Sequence, residues 1–273
     1  MRKTARTTSI VGGNGKTGRR VAERLRAREL PFRLASRSSA PAFDWSDERT
    51  WAAALEGVGA AYITYSPDLA APRAAEHVRR FVRRAVDAGV EKLVLLAGRG
   101  EPQVRPAEEA VRESGVAFTI LEAAFFAQNF SEGVLAPMDG EIAFPAGGVA
   151  EPFIDVEDIA DVAVAALTED SHVGKTYELT GPRLLTFDQV AKEIAAAAGR
   201  PMRYRPVSSE EYAALLAPHL PAEDVAFLIE LFAHLTDGHN AHLADGVERA
   251  LGRPPRDFPD YARGAAAAGA WAP

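Results

Sequence analysis

The sequence contains no cysteine. That absence removes disulfides, thiolate zinc sites and cysteine nucleophiles together. No apolar run reaches the ~20 residues of a membrane span, so no membrane role is expected. Surplus positive charge is also lacking, since 31 Lys and Arg stand against 38 Asp and Glu, a formal net charge of −7. A nucleic-acid binder would carry a basic domain or stripe. The arginine-rich pieces RRVAERLRAR and RRFVRR interleave their charges with apolar residues at helical spacing, so they are expected as solvated helix faces. Neither the G-x-S-x-G elbow of a hydrolase nor an H-E-x-x-H motif occurs. Of the histidines His77, His172, His219, His234, His239 and His242, the last three crowd into HLTDGHNAH. An Asp-Gly turn interrupts them, and they are expected to decorate a helix end rather than to bind a metal. The basic start MRKTARTTSIV runs straight into a strand and a glycine loop, with no room for the apolar core of a signal peptide. The expectation is a cytoplasmic protein.

What is present is a globular composition, 47% hydrophobic and 25% charged over 273 residues. That suffices for one large domain, or a domain with a smaller appendage. Strand-like runs TTSIV, FRLAS, GAAYITY, KLVLLAG and AFTILEA alternate with helix-period segments. Such alternation predicts right-handed βαβ units: a Rossmann-type, doubly wound parallel α/β sheet covered on both faces. In the second half, PFIDVEDIADVAVAALTE predicts a short strand and then a helix beginning at Asp155, with Glu157 and Asp158 in its first turn. TFDQVAKEIAAAAGRP carries a capping box, Thr186 with Gln189, a stop at Gly199 and Pro201 beyond. Residues 208–237 read as mostly helical, and a proline-containing tail follows. The expected division is a nucleotide-binding domain over residues 1–150, with return segments from about 151–180, and a smaller, mostly helical substrate cap over 181–273.

The stretch SIVGGNGKTGRRV poses a choice, because it contains both Gly-Lys-Thr and closely spaced glycines. A phosphate-binding P-loop needs G-x-x-x-x-G-K-[ST]. Its first glycine would fall on Ile10, inside the strand, so that reading fails. Gly13, Gly15 and Gly18 satisfy G-x-G-x-x-G, and Gly12, Gly15 and Gly18 satisfy the looser G-x-x-G-x-x-G, directly between a strand and a helix. Small residues there permit a tight turn and the approach of a pyrophosphate to helix N-terminal amides. The loop of Gly12, Gly13, Asn14, Gly15, Lys16, Thr17 and Gly18 is therefore expected to hold a dinucleotide. At the end of the second strand, ~20 residues on, an acidic residue would bind the ribose hydroxyls of NAD. This chain has Arg37 between Ser36 and Ser38, with no carboxylate before Asp44. An arginine and hydroxyls suit a 2′-phosphate, so NADP(H) is the expected cofactor.

Together, VGGNGKTGRRVAERL, LASR, FDW…TWAAALEGV, SGVAFTILEAAFFAQNF, PFIDVEDIADVAVAAL and TYELTGP make the chain resemble NmrA-like atypical short-chain dehydrogenase/reductases. The FDW…TW segment and the tail NAHLADGVERALGRPPRDFPDYAR are similar to bacterial relatives of ergot-alkaloid-type, festuclavine dehydrogenase-like reductases. The resemblance implies NADP(H) on Gly12, Gly15 and Gly18, with Arg37 and Ser38 at the 2′-phosphate and Asp44 and Trp45 near the adenine. It implies that Tyr65 and Pro67 of YSPDL run past the nicotinamide side of the dinucleotide, and Ala97 and Gly98 at the end of the fourth strand are also expected to bind the cofactor. Phe125 and Asn129 of FFAQNF would line the substrate pocket, while Phe126 and Phe130 are expected as core.

The chain departs from the wider superfamily in two places. The usual Tyr-x-x-x-Lys pair is absent, because the helix RPAEEAVRESG holds neither residue. The strand before it ends LLAGRG, so Ala97 and Gly98 replace hydroxyl residues. In TILEAAFF, Glu122 stands where the resemblance implies an arginine, and Arg99 ends the neighbouring strand. Glu122 could be a proton donor or substrate anchor tuned by burial and Arg99, or the two could form a structural ion pair. Two functions stay open. One is an NADPH-dependent reductase passing hydride to a small or medium apolar acceptor (quinone, enone, carbonyl or iminium), in secondary metabolism for instance, bound partly by Arg99. The other is a non-catalytic NADP(H)-binding redox sensor of NmrA type. Either would be a monomer or homodimer with a small-molecule ligand and no nucleic-acid partner.

Overall fold

The computed structural model describes residues 6–133 and 135–272. The basic residues 1–5, on which the expectation about a leader rests, lie outside the described residues.

All five expected strands form: β1 (Thr7–Val11), β2 (Phe32–Ala35), β3 (Val58–Ile63), β4 (Lys92–Gly98) and β5 (Ala117–Ala123). Between them run α1 (Lys16–Ala27), α2 (Trp51–Leu55), α3 (Ala74–Asp87) and α4 (Arg105–Arg112). The chain continues through α5 (Asn129–Glu132), β6 (Glu141–Phe144), β7 (Ala150–Glu151), α6 (Val156–Thr168), β8 (Lys175–Leu179) and β9 (Leu185–Thr186). It closes with α7 (Phe187–Ala198), β10 (Arg203–Pro206), α8 (Ser209–Leu216), α9 (Ala222–Leu235), α10 (Gly246–Leu251) and α11 (Phe258–Ala267). Among the described residues, no helix is long and apolar enough to cross a membrane.

Six strands make one parallel sheet in the order β2-β1-β3-β4-β5-β8. This is the expected doubly wound, Rossmann-like α/β fold. The alternation along each strand separates two apolar layers. Ala61, Ile63, Leu93, Leu95 and Ala97 join Trp51, Phe81 and Val111 in one core, where α2, α3 and α4 lie. Val94 and Tyr62 are equally buried but stand outside that core, on the alternate positions. Helix α1 packs along α6, and the arginines of RRVAERLRAR are used there: Arg20 meets Glu157 and Arg24 meets Asp161, each at 2.5 Å. Arg80 and Arg84 pair with Glu48 in the same way. The arginines of α1 are thus held in part-buried ion pairs against α6, their side chains 12% and 19% exposed, and do not form the solvated face expected, whereas those of α3 stay solvated at 44% and 50%.

Two compact units result. The first runs through Ala123 and takes up Val156–Leu179 and Asp245–Arg253; the second holds Ala124–Asp155, Thr180–Ala244 and the chain from Pro254. The second unit is built on aromatic side chains. Phe130, Phe144 and Phe187 are fully buried, with Phe144 and Phe187 stacked at 5.0 Å and Phe130 against Phe153 at 5.3 Å. Phe130 is core as expected, while Phe126 bridges its backbone to Ile154. Helix α7 starts on the Thr186–Gln189 capping box and stops at Gly199, whose φ is 65°.

Candidate active site

The strand order reverses between β1 and β3, with β2 added on one side and β4 and β5 on the other, and the glycine loop lies there, past the carboxyl ends of both strands. This switch point is where doubly wound sheets bind ligands. The loop is tight enough to need its glycines. Gly12 has φ 76°, and a Cβ on it would sit 2.0 Å from Thr64 Oγ1, which donates to Val11 O. A Cβ on Gly18 would fall 2.4 Å from Gly12 O, so α1 and the loop touch backbone to backbone. Gly13 is pressed against Leu34 and Gly15 against Gly12 O. Helix α1 has Gly15 at its N-cap, no capping side chain and no acidic residue in its first turn. Its first amides thus lack the usual internal partner, and the N-terminus favours an anion. A dinucleotide pyrophosphate fits this cradle. Lys16 opens the helix, whereas Thr17 is buried beside the Tyr62 hydroxyl.

The end of β2 comes to the same loop. Asn14 Nδ2 donates to Ser36 Oγ at 2.9 Å and to Ser38 Oγ at 2.8 Å. Arg37 is exposed and donates to no group among the described residues; the Asp44 carboxylate feels its charge. Asp44 is held below the usual carboxylate range chiefly by the Ser46 hydroxyl and amide. Trp45 is largely buried, with its Nε1 on Thr64 O, in an aromatic group with Phe43, Trp51 and Phe81. Tyr65 joins the same group: its ring lies 4.9 Å from Trp45 and its hydroxyl 2.8 Å from His77 Nδ1. Tyr65 therefore stands with Asp44 and Trp45. Pro67, after a cis bond from Ser66, is exposed.

Farther along, the strand ends differ from expectation. No Arg99–Glu122 ion pair forms. Strand β8, which the strand reading of the sequence did not include, lies beside β5 and aligns Glu178 with Glu122. Arg99, its side chain 2% exposed, bonds Glu178 at 3.0 Å. Glu122 instead meets α4, 3.8 Å from Arg112. Burial first, then the charges of Glu108 and Glu178, push the Glu122 carboxyl up to about 7. A carboxyl raised in the folded state loses stability as pH rises from its ordinary 4.5 through about 7. Glu122→Gln should therefore gain in melting temperature over the wild type at pH 8 and lose that gain below pH 4.5. Thermal melts across pH check this, and a pH-independent difference would reject it.

Two carboxylates that sequence reading did not single out stand past neighbouring strand ends: Asp68 in the loop after β3 and Glu101 in the loop after β4. Their signal in the sequence is faint, an acidic residue a few positions beyond a strand. Ala97 is buried, and Gly98 is overlain by the Glu101 carboxyl.

In the second unit, Phe125 is only partly buried and packs near Phe144, Phe153, Phe187 and Phe232. Asn129 opens α5 and is also partly exposed. The structure places these two four residues apart beside one aromatic core, and Arg99 belongs to the first unit. His234, Asp237 and His239 do converge, with potential ligand atoms within 4.8 Å of one another. Asp237 accepts from the backbone amide of His239 and meets its imidazole, a turn contact that accounts for the geometry and holds the carboxylate low.

Comparison with known proteins gives the family and the fold. The model of the NmrA-like family matches residues 105–262. An NAD(P)H azoreductase of Xenophilus azovorans is 33% identical over 95% of this chain and 98% of its own. An agroclavine dehydrogenase of Claviceps fusiformis is 33% identical over 93% and 96%. The triphenylmethane reductase of Citrobacter sp., solved complexed with NADP(H), has the same fold, with a TM-score of 0.80 at 20% identity over 95% of this chain and 99% of that one. A glycine cradle at the switch point, a family model matching residues 105–262 and near end-to-end similarity to these relatives lead to one assignment: the chain belongs to the NmrA-like family.

Proposed function

We propose that the protein is an NADPH-dependent reductase that passes hydride to a small or medium apolar acceptor. The observation that carries this is the cradle at the β1–β3 switch. There the Cβ-intolerant glycines and the uncapped α1 N-terminus meet an exposed Arg37 beside Ser36 and Ser38. Bound NADPH would supply the hydride. The chain's part is to hold the pyrophosphate on the loop and the 2′-phosphate on Arg37 and Ser38; Phe125 and Asn129, both partly exposed, are the side chains proposed to line the acceptor's pocket. The acceptor is a quinone, enone, carbonyl or iminium. The relatives extend that range to azo and triphenylmethane dyes, electrophiles toward which orientation and a dry site favour hydride transfer. Helix α4 supplies neither Tyr nor Lys, so any proton comes from elsewhere.

The first test is NADPH oxidation against a panel of quinones, enones, ketones, cyclic imines and azo dyes, with NADH as the paired control. Turnover that prefers NADPH is expected. NADPH binding without turnover of any acceptor would favour a redox sensor. Arg37→Ala should lower the preference for NADPH over NADH by roughly 10- to 100-fold, since a charge-assisted bond contributes about 1.5–3 kcal/mol. Titration of both cofactors checks it, and equal weakening of the two would remove Arg37 from the 2′-phosphate.

A further inference from the structure

Asp68 and Glu101 come from loops that follow adjacent strands, β3 and β4, so both stand beyond the carboxyl edge of the sheet. Glu101 is 6% exposed, and its Oε2 has no hydrogen-bond partner among the described residues. Its carboxyl occupies the space over Gly98: a Cβ there would lie 1.8 Å from Oε1 and 2.4 Å from Cδ. Gly98, which in the sequence looks like the loss of a hydroxyl, is thus the opening that admits this acid. Asp68 is half-buried and accepts from the Ala70 amide at 2.8 Å. Burial raises Asp68; burial first, and the Asp68 charge second, push Glu101 up to about 8. The nearest cation in sequence, Arg99, is turned to Glu178 on the far side of β5. Buried polar groups are ordinarily paired, and an acid left without a donor is a group kept for a proton.

We propose that Asp68 and Glu101 form a carboxyl pair holding one proton at neutral pH, and that Glu101 delivers it to acceptors that need one. The second half rests on the reductase reading above. A quinone, carbonyl, enone or azo acceptor becomes an anion on taking hydride. Its new O–H, N–H or C–H bond forms as the Glu101 O–H bond breaks, and the carboxylate left behind recovers a proton from solvent. An iminium or a triarylmethyl cation becomes neutral on taking hydride alone and draws nothing from the pair. The pair would therefore do for neutral acceptors what the absent tyrosine does elsewhere in the superfamily.

The test uses Glu101→Gln and Asp68→Asn in the full chain, with two readouts. Infrared titration of the cofactor-free protein should show, besides the Glu122 acid that titrates near pH 7, a carboxylic-acid component that titrates near pH 8. Glu101→Gln should abolish the component near pH 8 and leave that of Glu122, and Asp68→Asn should move the Glu101 component down by about one unit or more. In turnover, Glu101→Gln should slow menadione reduction by about 100-fold or more and leave reduction of a triphenylmethane dye cation unchanged. Asp68→Asn should move the alkaline fall of kcat/KM for menadione to lower pH by the same shift as the infrared band. Absence of a component near pH 8 that Glu101→Gln removes overturns the pair. Equal loss with both acceptors, no loss with either, or the same acceptor split from Glu122→Gln instead overturns delivery by Glu101. If the wild type reduces neither acceptor, the reductase reading falls and delivery falls with it, while the infrared titration still decides the pair.

Discussion

Gly18→Ala is expected to weaken NADPH binding by about 100-fold or more, the scale of a misplacement of roughly 1 Å at a site. The new Cβ would meet only backbone: Gly12 O at 2.4 Å, Gly13 Cα at 2.9 Å and Gly12 C at 3.0 Å. No side chain can rotate away, so α1 must lift from the loop that ends β1. The pyrophosphate cradle and the helix N-terminus then separate. Overpacking of this kind also costs about 1–3 kcal/mol of stability, equivalent to a fall of roughly 2–12 °C in melting temperature for a chain of this size. Gly15→Ala is the informative contrast. Its Cβ would meet a single atom, Gly12 O at 3.1 Å, and Gly15 has φ −73°, open to any residue. It should melt close to the wild type. Fluorescence titration with NADPH and thermal melts of both variants check this. Wild-type affinity in Gly18→Ala would mean that these glycines serve packing alone.

Phe187→Ala should cost about 3–5 kcal/mol, the range for deleting a buried phenyl ring. Phe187 is fully buried at the start of α7, and its ring meets Phe144 at 5.0 Å, Phe153 at 5.3 Å and Phe130 at 5.8 Å. With so many neighbours held by one another, the cavity cannot collapse cheaply. Met138→Ala, 74% exposed in the same unit, should change stability by no more than about 0.5 kcal/mol. Urea denaturation of the two variants measures both. A small loss in Phe187→Ala would mean that the aromatic cluster repacks around the deletion.

Much of this was legible in order of sequence separation. The five strands, the capping box at Thr186 and the stop at Gly199 depend on residues within one turn or one pleat of each other, so pattern alone predicts them. The glycine spacing was readable for the same reason, because a turn between strand and helix is local. Strand β8 was missed as a strand since KTYEL is short and half polar, and only its place beside β5 makes it part of the sheet. That miss carried the next one. Without β8 there was no Glu178, so Arg99 was matched to Glu122, its neighbour across two strand ends, rather than to the partner that the sheet supplies.

By itself the sequence determined the class of fold, the glycine loop between β1 and α1 and the lack of Tyr and Lys on α4, all consequences of periodicity and residue type over short windows. Only the tertiary structure decided which charges meet. It turned Glu122 toward Arg112, gave Arg99 to Glu178, set Tyr65 against Trp45 and laid the Glu101 carboxyl over Gly98. The reason is physical: a side chain's partner and its proton depend on what burial brings near it from distant parts of the chain, and one-dimensional spacing does not encode that distance.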